Sequence, residues 1–205
     1  MHVNIRAIAV GDWKVNCYLV AIGNEGWLID PGDEIDKIVS ALNLDNYKLK
    51  GIINTHGHFD HIGAVADIKD KYNISFSIHS KDRRLVSQGN LYRRMVGSLK
   101  ISKTPVIDNY LNNNSSLKLE DKRIVVHHTP GHTDGSVCFE IDRNLLVGDL
   151  FFENNLGISN LPGGNKRLLL NSINYICEKF IGYQIYPGHG EPFVLEHDQM
   201  KNLKE

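Results

Sequence analysis

The feature that most constrains the fold is the run KLKGIINTHGHFDH at residues 48–61, where a short apolar segment leads directly into three histidines and an aspartate. The apolar segment is typical of a buried strand. Alternate residues of an extended chain point the same way, so His56 and His58 can face one point. Asp60 and His61 follow a turn at the start of a predicted helix, and we expect them to point to a second spot nearby. Four potential ligands in six positions therefore indicate a metal site at a strand end.

Three further candidate ligands lie at the ends of other predicted strands. They are His132 in TPGHTDGS, Asp149 in LLVGDLFF and His189 in YPGHGEP, each beside glycines that let the backbone approach a crowded site. A carboxylate has two oxygens, so Asp149 can bridge two cations. The combined set of five histidines and two aspartates favours zinc or iron over magnesium, which prefers oxygen ligands.

Short apolar runs alternate with helical periodicity along the chain. Strands are predicted over residues 3–10, 15–22, 26–30, 48–55, 74–79, 122–129, 135–141, 144–152 and 183–188. Helices are predicted over residues 30–43, 60–73 and 166–180, with a short helix at the C-terminus. This order predicts an α/β (α+β) fold in which one sheet packs on another with helices outside.

Length and charge limit the class of protein. A chain of 205 residues can bury one sizeable core, so we expect a single domain over residues 1–205. The net charge of −1 argues against a dedicated nucleic-acid or membrane-surface protein. Apolar runs are far shorter than a membrane span, and the N-terminus does not resemble a signal peptide, so a cytoplasmic protein is expected. Cys17, Cys138 and Cys177 are interpreted as buried apolar residues.

The string T-H-x-H-x-D-H, followed by single histidine, aspartate and histidine positions in that order, resembles the metallo-β-lactamase superfamily. The resemblance runs from NCYLV through YPGHGEP, and the segments TPGHTDGSVCFE, VGDLFF, LPGGN and YPGHGEP look most like glyoxalase II-type hydroxyacylglutathione hydrolases. It implies a four-layer αββα sandwich with a two-metal site at one edge of the sheets. It also implies two divalent metal ions, with zinc expected first and iron or manganese as alternatives.

The resemblance assigns the seven ligands to two metals. One metal is expected on His56, His58 and His132. The other is expected on Asp60, His61 and His189, with Asp149 bridging both.

Two departures from the glyoxalase II pattern bear on the substrate. Full-length members carry an extra C-terminal helical region that helps to bind glutathione, whereas only about a dozen residues follow YPGHGEP here. The chain therefore resembles the short members of the group. Where relatives often have G-R-x-D before the Pro-Gly-Gly segment, this chain reads GISNLPGGN, with Ile158 and Asn160. That difference removes a positive and a negative charge close to the expected site.

The implied reaction is hydrolysis of a small anionic thioester such as S-lactoylglutathione. Two cations about 3.5–4 Å apart can lower the pKa of a water held between them to about 7, which supplies hydroxide at neutral pH. Asp60 and Asp149 are the expected catalytic residues, Asp60 because it could also orient the water and Asp149 because it bridges the metals.

Other functions remain open at this stage. A persulfide dioxygenase would use the same scaffold with one iron on His56, His132 and Asp149. A non-catalytic metal-binding protein is a third possibility. A β-lactam hydrolase is less favoured because no secretion signal is recognised, and a nuclease would need an added nucleic-acid-binding region.

Residues 81–116 carry few periodic apolar positions and are expected to form a basic, lid-like insertion. Between Lys81 and Lys103 there are seven Lys or Arg residues and one acidic residue, Asp82. The candidate substrate contacts in this segment are Arg83, Arg84, Tyr92, Arg93 and Arg94. The alternative for each arginine is a solvated helix face.

The remaining histidines are not expected to bind metal. His127 and His128 point to opposite faces of one strand, so at most one of them could support the site. His79 is expected to be structural, and His2 and His197 lie near the termini and have no assigned role.

Overall fold

Twelve strands and six α-helices make up the part of the chain that the computed structural model describes, residues 1–197. The strands are β1 Asn4–Val10, β2 Val15–Ile22, β3 Glu25–Ile29, β4 Lys48–Ile53, β5 Phe76–His79, β6 Asn109–Leu111, β7 Ser116–Leu119, β8 Lys122–His128, β9 Val137–Ile141, β10 Asn144–Gly148, β11 Gln184–Pro187 and β12 Phe193–Val194. The helices are α1 Ile35–Leu42, α2 Phe59–Ile62, α3 Val65–Tyr72, α4 Arg83–Ser87, α5 Gly89–Met95 and α6 Lys166–Lys179. The predicted C-terminal helix lies outside the described residues.

The strands form two six-stranded sheets, with the orders β1-β2-β3-β4-β5-β6 and β12-β11-β10-β9-β8-β7. In the first sheet β1, β2 and β3 are antiparallel, and β3 to β6 run parallel. In the second sheet β7 to β10 are antiparallel, and β10 and β11 run parallel. The carboxyl ends of β8, β10 and β11 therefore lie at one edge of this sheet.

Side-chain alternation along β2 explains how the layers form. Cys17 and Leu19 point to one face of the first sheet and pack in a cluster with residues of α1 and α3. Tyr18 and Val20 point to the other face and pack against the second sheet, where Phe139 is fully buried. Because both faces of the strand are covered, β2 is buried along its whole length.

Helix α6 covers the outer face of the second sheet. Its residues Ile173 and Ile176 pack in one cluster with Leu145 of β10 and Cys138 of β9. The three clusters together give the order helix, sheet, sheet, helix, which confirms the predicted four-layer αββα fold. The three cysteines are buried, as expected.

The structure differs from the predicted elements in two regions. The helix predicted over residues 60–73 is split into α2 and α3, because the Ala64 N–H donates to the Pro31 carbonyl (3.0 Å) instead of continuing the helix. Residues 81–116 contain the helices α4 and α5 and the strand β6, and they end at the first residue of β7. The segment therefore contributes an edge strand to the first sheet. In residues 1–197, no helix is both long and apolar enough to cross a membrane.

Candidate metal centre

The seven candidate ligands converge at the edge where strands of both sheets end. His56, His58, Asp60 and His61 follow β4, and His132 follows β8. Asp149 and His189 directly follow the parallel neighbours β10 and β11. Two backbone hydrogen bonds join the sheets here, from Val137 N–H to the Thr55 carbonyl (2.8 Å) and from Asn16 N–H to the Gly188 carbonyl (2.8 Å).

Three buried histidines form the first group. The Nε2 atom of His132 lies 3.2 Å from Nε2 of His56 and 2.8 Å from Nδ1 of His58. A single shared proton could satisfy only one of these two contacts. In a tetrahedral zinc site with Zn–N bonds of about 2.0–2.1 Å, ligand nitrogens lie roughly 3.3 Å apart, so one metal ion would satisfy all three nitrogens.

Asp60, His61 and His189 form the second group, and Asp149 lies between the two groups. The Oδ2 atom of Asp60 lies 3.7 Å from His189 Nε2 and 3.9 Å from His61 Nε2. Asp149 lies 3.5 Å from His61 Nε2 through Oδ1, and 3.7 Å from His132 Nε2 and 3.4 Å from His189 Nε2 through Oδ2. Its carboxylate therefore faces ligands from both groups and is placed to bridge two ions.

Unpaired polar atoms at the same point show that the residues fit metal ions. His61 Nε2 and Asp149 Oδ1 are buried and have no hydrogen-bond partner among the described residues. Leaving such atoms unpaired costs about 1–3 kcal/mol each, a cost that metal coordination would remove. Gly188 leaves the space that the site needs, because a Cβ atom there would lie 2.0 Å from Asp149 Oδ1 and 2.9 Å from His61 Cε1.

Each of four ligand histidines is oriented through its other ring nitrogen. The Nδ1 atom of His61 bonds the buried Asp30 carboxylate (3.0 Å) and Nδ1 of His56 contacts Thr55 Oγ1 (3.1 Å). The Nδ1 atoms of His132 and His189 donate to backbone carbonyls, those of Ile158 (2.6 Å) and Trp13 (2.9 Å) respectively. Such partners hold the imidazole ring and its tautomer so that Nε2 is free to bind metal.

Two buried aspartates in these contacts were not among the predicted residues. Asp30 accepts hydrogen bonds from both the N–H and the hydroxyl of Thr55 (2.8 and 2.6 Å). Asp82 accepts from the N–H of Gly57 (2.8 Å), which separates His56 from His58, and from Gly135 N–H (2.8 Å) and Thr133 Oγ1 (2.7 Å). Both could have been noticed in the sequence. Asp30 is the last residue of a predicted strand, and Asp82 is the one acidic residue between Lys81 and Lys103.

Burial and neighbouring charges shift the pKa values of the candidate ligands in different directions. Burial, reinforced by neighbouring histidines, lowers the pKa of His56 well below its usual value and that of His58 to about 3, so both are neutral and able to coordinate. Burial also opposes protonation of His61, but Asp149, Asp60 and Asp30 outweigh it and raise its pKa. Burial likewise opposes ionisation of Asp149, but His61 and His189 outweigh it and lower its pKa.

Of the five predicted substrate contacts in residues 81–116, Tyr92 and Arg93 line pockets that also contain candidate metal ligands. Arg93 is buried on α5, where it donates to the Phe59 carbonyl (3.0 Å) and lies 3.8 Å from Asp33. Arg83 lines a separate groove, Arg84 donates to Gln88 (3.2 Å), and Arg94 is exposed. Tyr92 lines the cavity beside the metal ligands, and Arg93 lines a smaller pocket with Trp13 and Asp60.

That cavity has a volume of about 450 Å³ and is bounded at one end by His58, Asp60, His132, Asp149 and His189. Its other lining residues are apolar or aromatic and come from the β1–β2 loop, α2, α5 and the loop after β10. Cavities of roughly 300–1,000 Å³ hold small ligands. A small molecule can therefore reach the ligand groups through this opening.

The other histidines lie away from the ligands. His127 bonds Glu140 (2.7 Å) and Tyr175 (3.0 Å), whereas His128 stacks on His79 with ring centroids 4.3 Å apart. Neither ring has a hydrogen bond to a candidate metal ligand among the contacts of the described residues.

Comparison with known proteins agrees with this geometry. The model of the family described as the Metallo-beta-lactamase superfamily matches residues 10–189. Hydroxyacylglutathione hydrolase GloC of Haemophilus influenzae is 28% identical over 208 residues, which cover 97% of this chain and 96% of that protein.

Two solved structures share both the fold and a substantial part of the sequence. BLEG-1, a B3 metallo-beta-lactamase, is 30% identical with a TM-score of 0.85, and the match covers 94% of each chain. TTHA1623, solved in a di-iron-bound form, is 31% identical with a TM-score of 0.84, and the match covers 93% of this chain and 94% of that one. The chain therefore belongs to the metallo-beta-lactamase superfamily and is a metal-dependent enzyme of the hydrolase type.

Proposed function

We propose that this protein hydrolyses small thioesters at a centre of two divalent metal ions. The observation that carries the proposal is the position of Asp149, whose two oxygens face His61 of one ligand group and His132 of the other. A centre with both groups complete favours two ions over one. The similarity to a hydroxyacylglutathione hydrolase supports a thioester as the substrate.

When bound, the ions would polarise the substrate carbonyl and make a water molecule more acidic. His56, His58 and His132 would hold one ion as neutral ligands, and Asp60, His61 and His189 would hold the other. Asp60 is partly exposed to the cavity, so one of its oxygens is available to accept a hydrogen bond from water and orient it. Asp30 retains the proton of His61 at Nδ1 and keeps Nε2 directed at the centre.

The metal identity is part of the proposal. Zinc suits the histidine-rich ligand set, and iron is the main alternative because a di-iron form of a similar protein has been solved. Metal content per chain should be measured by mass spectrometry on protein expressed without added metal. The same protein should be assayed for hydrolysis of S-lactoylglutathione before and after treatment with a chelator.

We expect about two ions per chain and thioester cleavage that the chelator abolishes. Asp149→Ala should lose both metal and activity, whereas Asp121→Ala, an exposed carboxylate that pairs with the N-terminus, should retain both. An active, metal-replete Asp149→Ala would refute the two-metal scheme.

One iron per chain with no thioester cleavage would instead favour a persulfide dioxygenase, to be checked by sulfur-dependent oxygen uptake. Cleavage of a chromogenic cephalosporin without thioester cleavage would favour a β-lactam hydrolase.

A further inference from the structure

The cavity beside the metal centre is apolar wherever it is not formed by metal ligands. Nine of its fourteen lining residues are apolar or aromatic, including Trp13, Phe59, Phe152, Ile158 and Leu161, and the other five are candidate ligands. Among residues 1–197, the lining of this cavity contains no Lys or Arg residue. A bound molecule would therefore meet charge at the metal end and apolar surface elsewhere.

These side chains are unusually exposed for their type. Trp13 is 50% exposed, Met95 71%, Ile158 54% and Leu161 42%. Single exposed apolar residues are normal, but these four come from three distant segments of the chain and line one opening. Apolar groups that converge on a cavity mark a ligand site, because a ligand that covers them removes apolar surface from water.

The apolar wall is coupled to the metal ligands through the backbone. The Ile158 carbonyl accepts a hydrogen bond from His132, and the Trp13 carbonyl accepts one from His189, while both side chains line the cavity. Trp13 also packs edge-on against Phe59, with ring centroids 6.0 Å apart. Bonds that orient the ligands therefore also hold the wall in place.

Lys14 and Arg94, which are next in sequence to the lining residues Trp13 and Met95, are exposed and do not line the cavity. The guanidinium of Arg93 lies 5.3 Å from the Phe59 ring centroid and pairs with Asp33, and Arg93 lines a smaller pocket with Trp13 and Asp60. Lys100 also pairs with Asp33. The hydroxyl of Tyr92 donates to Gln88 (2.9 Å). The cavity thus offers little to recognise an anionic group on the substrate.

We propose that the substrates are thioesters with an uncharged, apolar acyl group of about the size of a phenyl ring, which the wall of Trp13, Met95, Ile158 and Leu161 selects. This inference rests on the proposed thioester hydrolysis and specifies its substrate class. Carboxylate-bearing acyl groups are poor substrates because the apolar wall, which lies away from the metal ligands, has no Lys or Arg to compensate for their loss of water.

The test uses three thioesters of one uncharged thiol, N-acetylcysteamine: the acetyl, phenylacetyl and (4-carboxyphenyl)acetyl esters. The last two differ chiefly in one remote charge. Metal-loaded protein should cleave the phenylacetyl ester with a kcat/KM about tenfold or more above that of either of the others, as expected for an apolar pocket that gains a ring and lacks a partner for a carboxylate.

Ile158→Arg places a cation in the wall and should shift the kcat/KM ratio about tenfold or more toward the carboxylated ester. Leu161→Arg serves the same purpose if Ile158→Arg does not fold, and metal content is measured for each variant. The matched control is Val106→Arg, at a 71% exposed position that does not line the cavity, and its ratio should equal that of the unmodified protein.

Cleavage of all three esters at similar rates, or faster cleavage of the carboxylated ester by the unmodified protein, would overturn the apolar specificity while leaving thioester hydrolysis intact. No cleavage of any of the three esters by protein that holds two metal ions and cleaves S-lactoylglutathione would overturn this inference alone. If S-lactoylglutathione is not cleaved either, the proposed function fails as well.

Discussion

Replacing Asp30 with asparagine tests whether the carboxylate behind His61 determines which ring nitrogen carries the proton. Asp30 accepts hydrogen bonds from His61 Nδ1 (3.0 Å) and from the N–H and hydroxyl of Thr55 (2.8 and 2.6 Å). Asparagine puts one acceptor and one donor in the same space. If its NH₂ group faces His61, the Nδ1 atom must accept, so the proton moves to Nε2, the nitrogen that faces Asp149. If it faces the Thr55 N–H, two donors oppose each other.

The expected loss follows from these contacts. Partners that orient metal-binding histidines are typically worth about 10–100-fold in metal affinity, which corresponds to about 1.4–2.7 kcal/mol. None of His56, His58 and His132 has a hydrogen bond to Asp30 among the contacts of the described residues. We therefore expect the larger loss at the site formed by Asp60, His61 and His189. The other site should lose less, because Asp30 reaches His56 only through the Thr55 hydroxyl.

The measurement is a competition titration of metal-free protein with zinc and a chromophoric chelator, which separates the two affinities. Asp82→Asn is the matched control, because Asp82 is equally buried and also accepts three hydrogen bonds but contacts no ligand side chain. The role of Asp30 would be refuted if Asp30→Asn binds metal at the site of Asp60, His61 and His189 within about twofold of the unmodified protein. If Asp30→Asn and Asp82→Asn lose equal affinity at that site, the cause is a general loss of stability instead.

Three further changes test other parts of the structure. Gly188→Ala would place a Cβ atom 2.0 Å from Asp149 Oδ1, so at least one metal ion per chain should be lost, and full metal content by mass spectrometry would contradict this. Phe139→Ala, at a fully buried position between the sheets, should lower the free energy of unfolding by about 3–5 kcal/mol in chemical denaturation; a loss below 1 kcal/mol would argue against this core. Burial, together with His128, lowers the pKa of His79 to about 4 from 6.5. As the pH drops from about 6.5 to about 4, the His79 ring becomes protonated in the unfolded chain before it does in the folded protein. The free energy of unfolding therefore falls over this pH range. His79→Asn should reduce that acid-induced loss by roughly 1–2 kcal/mol, and an identical pH profile of unfolding for both proteins would contradict the assignment.

Local sequence was sufficient for features that depend on short-range geometry. The run of apolar residues at 15–22 predicted a strand, and in the structure β2 is buried along its whole length, with alternate residues on opposite faces. The seven candidate ligands were recognisable because each follows a strand and lies in a short histidine- or aspartate-containing turn. In the structure they lie together, since the carboxyl ends of the strands before them share one edge of the sandwich.

Features that depend on distant segments were not predictable in the same way. Gly63 divides one predicted helix because the Pro31–Gly32 turn approaches it, and that turn is thirty residues earlier in the chain. The strands β6 and β7 are only three and four residues long and are defined by pairing with β5 and β8.

What the sequence by itself determined is the set of candidate metal-binding side chains, because they are residue types grouped within a few positions at the ends of predicted strands. The four-layer fold that carries them was implied by the resemblance of these motifs to the superfamily. Only the tertiary structure decided what surrounds those ligands. It buried Arg93 against Phe59 and Asp33, and it brought Trp13 and Ile158 to the opening of the cavity. The physical reason is that the direction of a loop side chain depends on the elements packed against it, and those elements come from segments far apart in the chain.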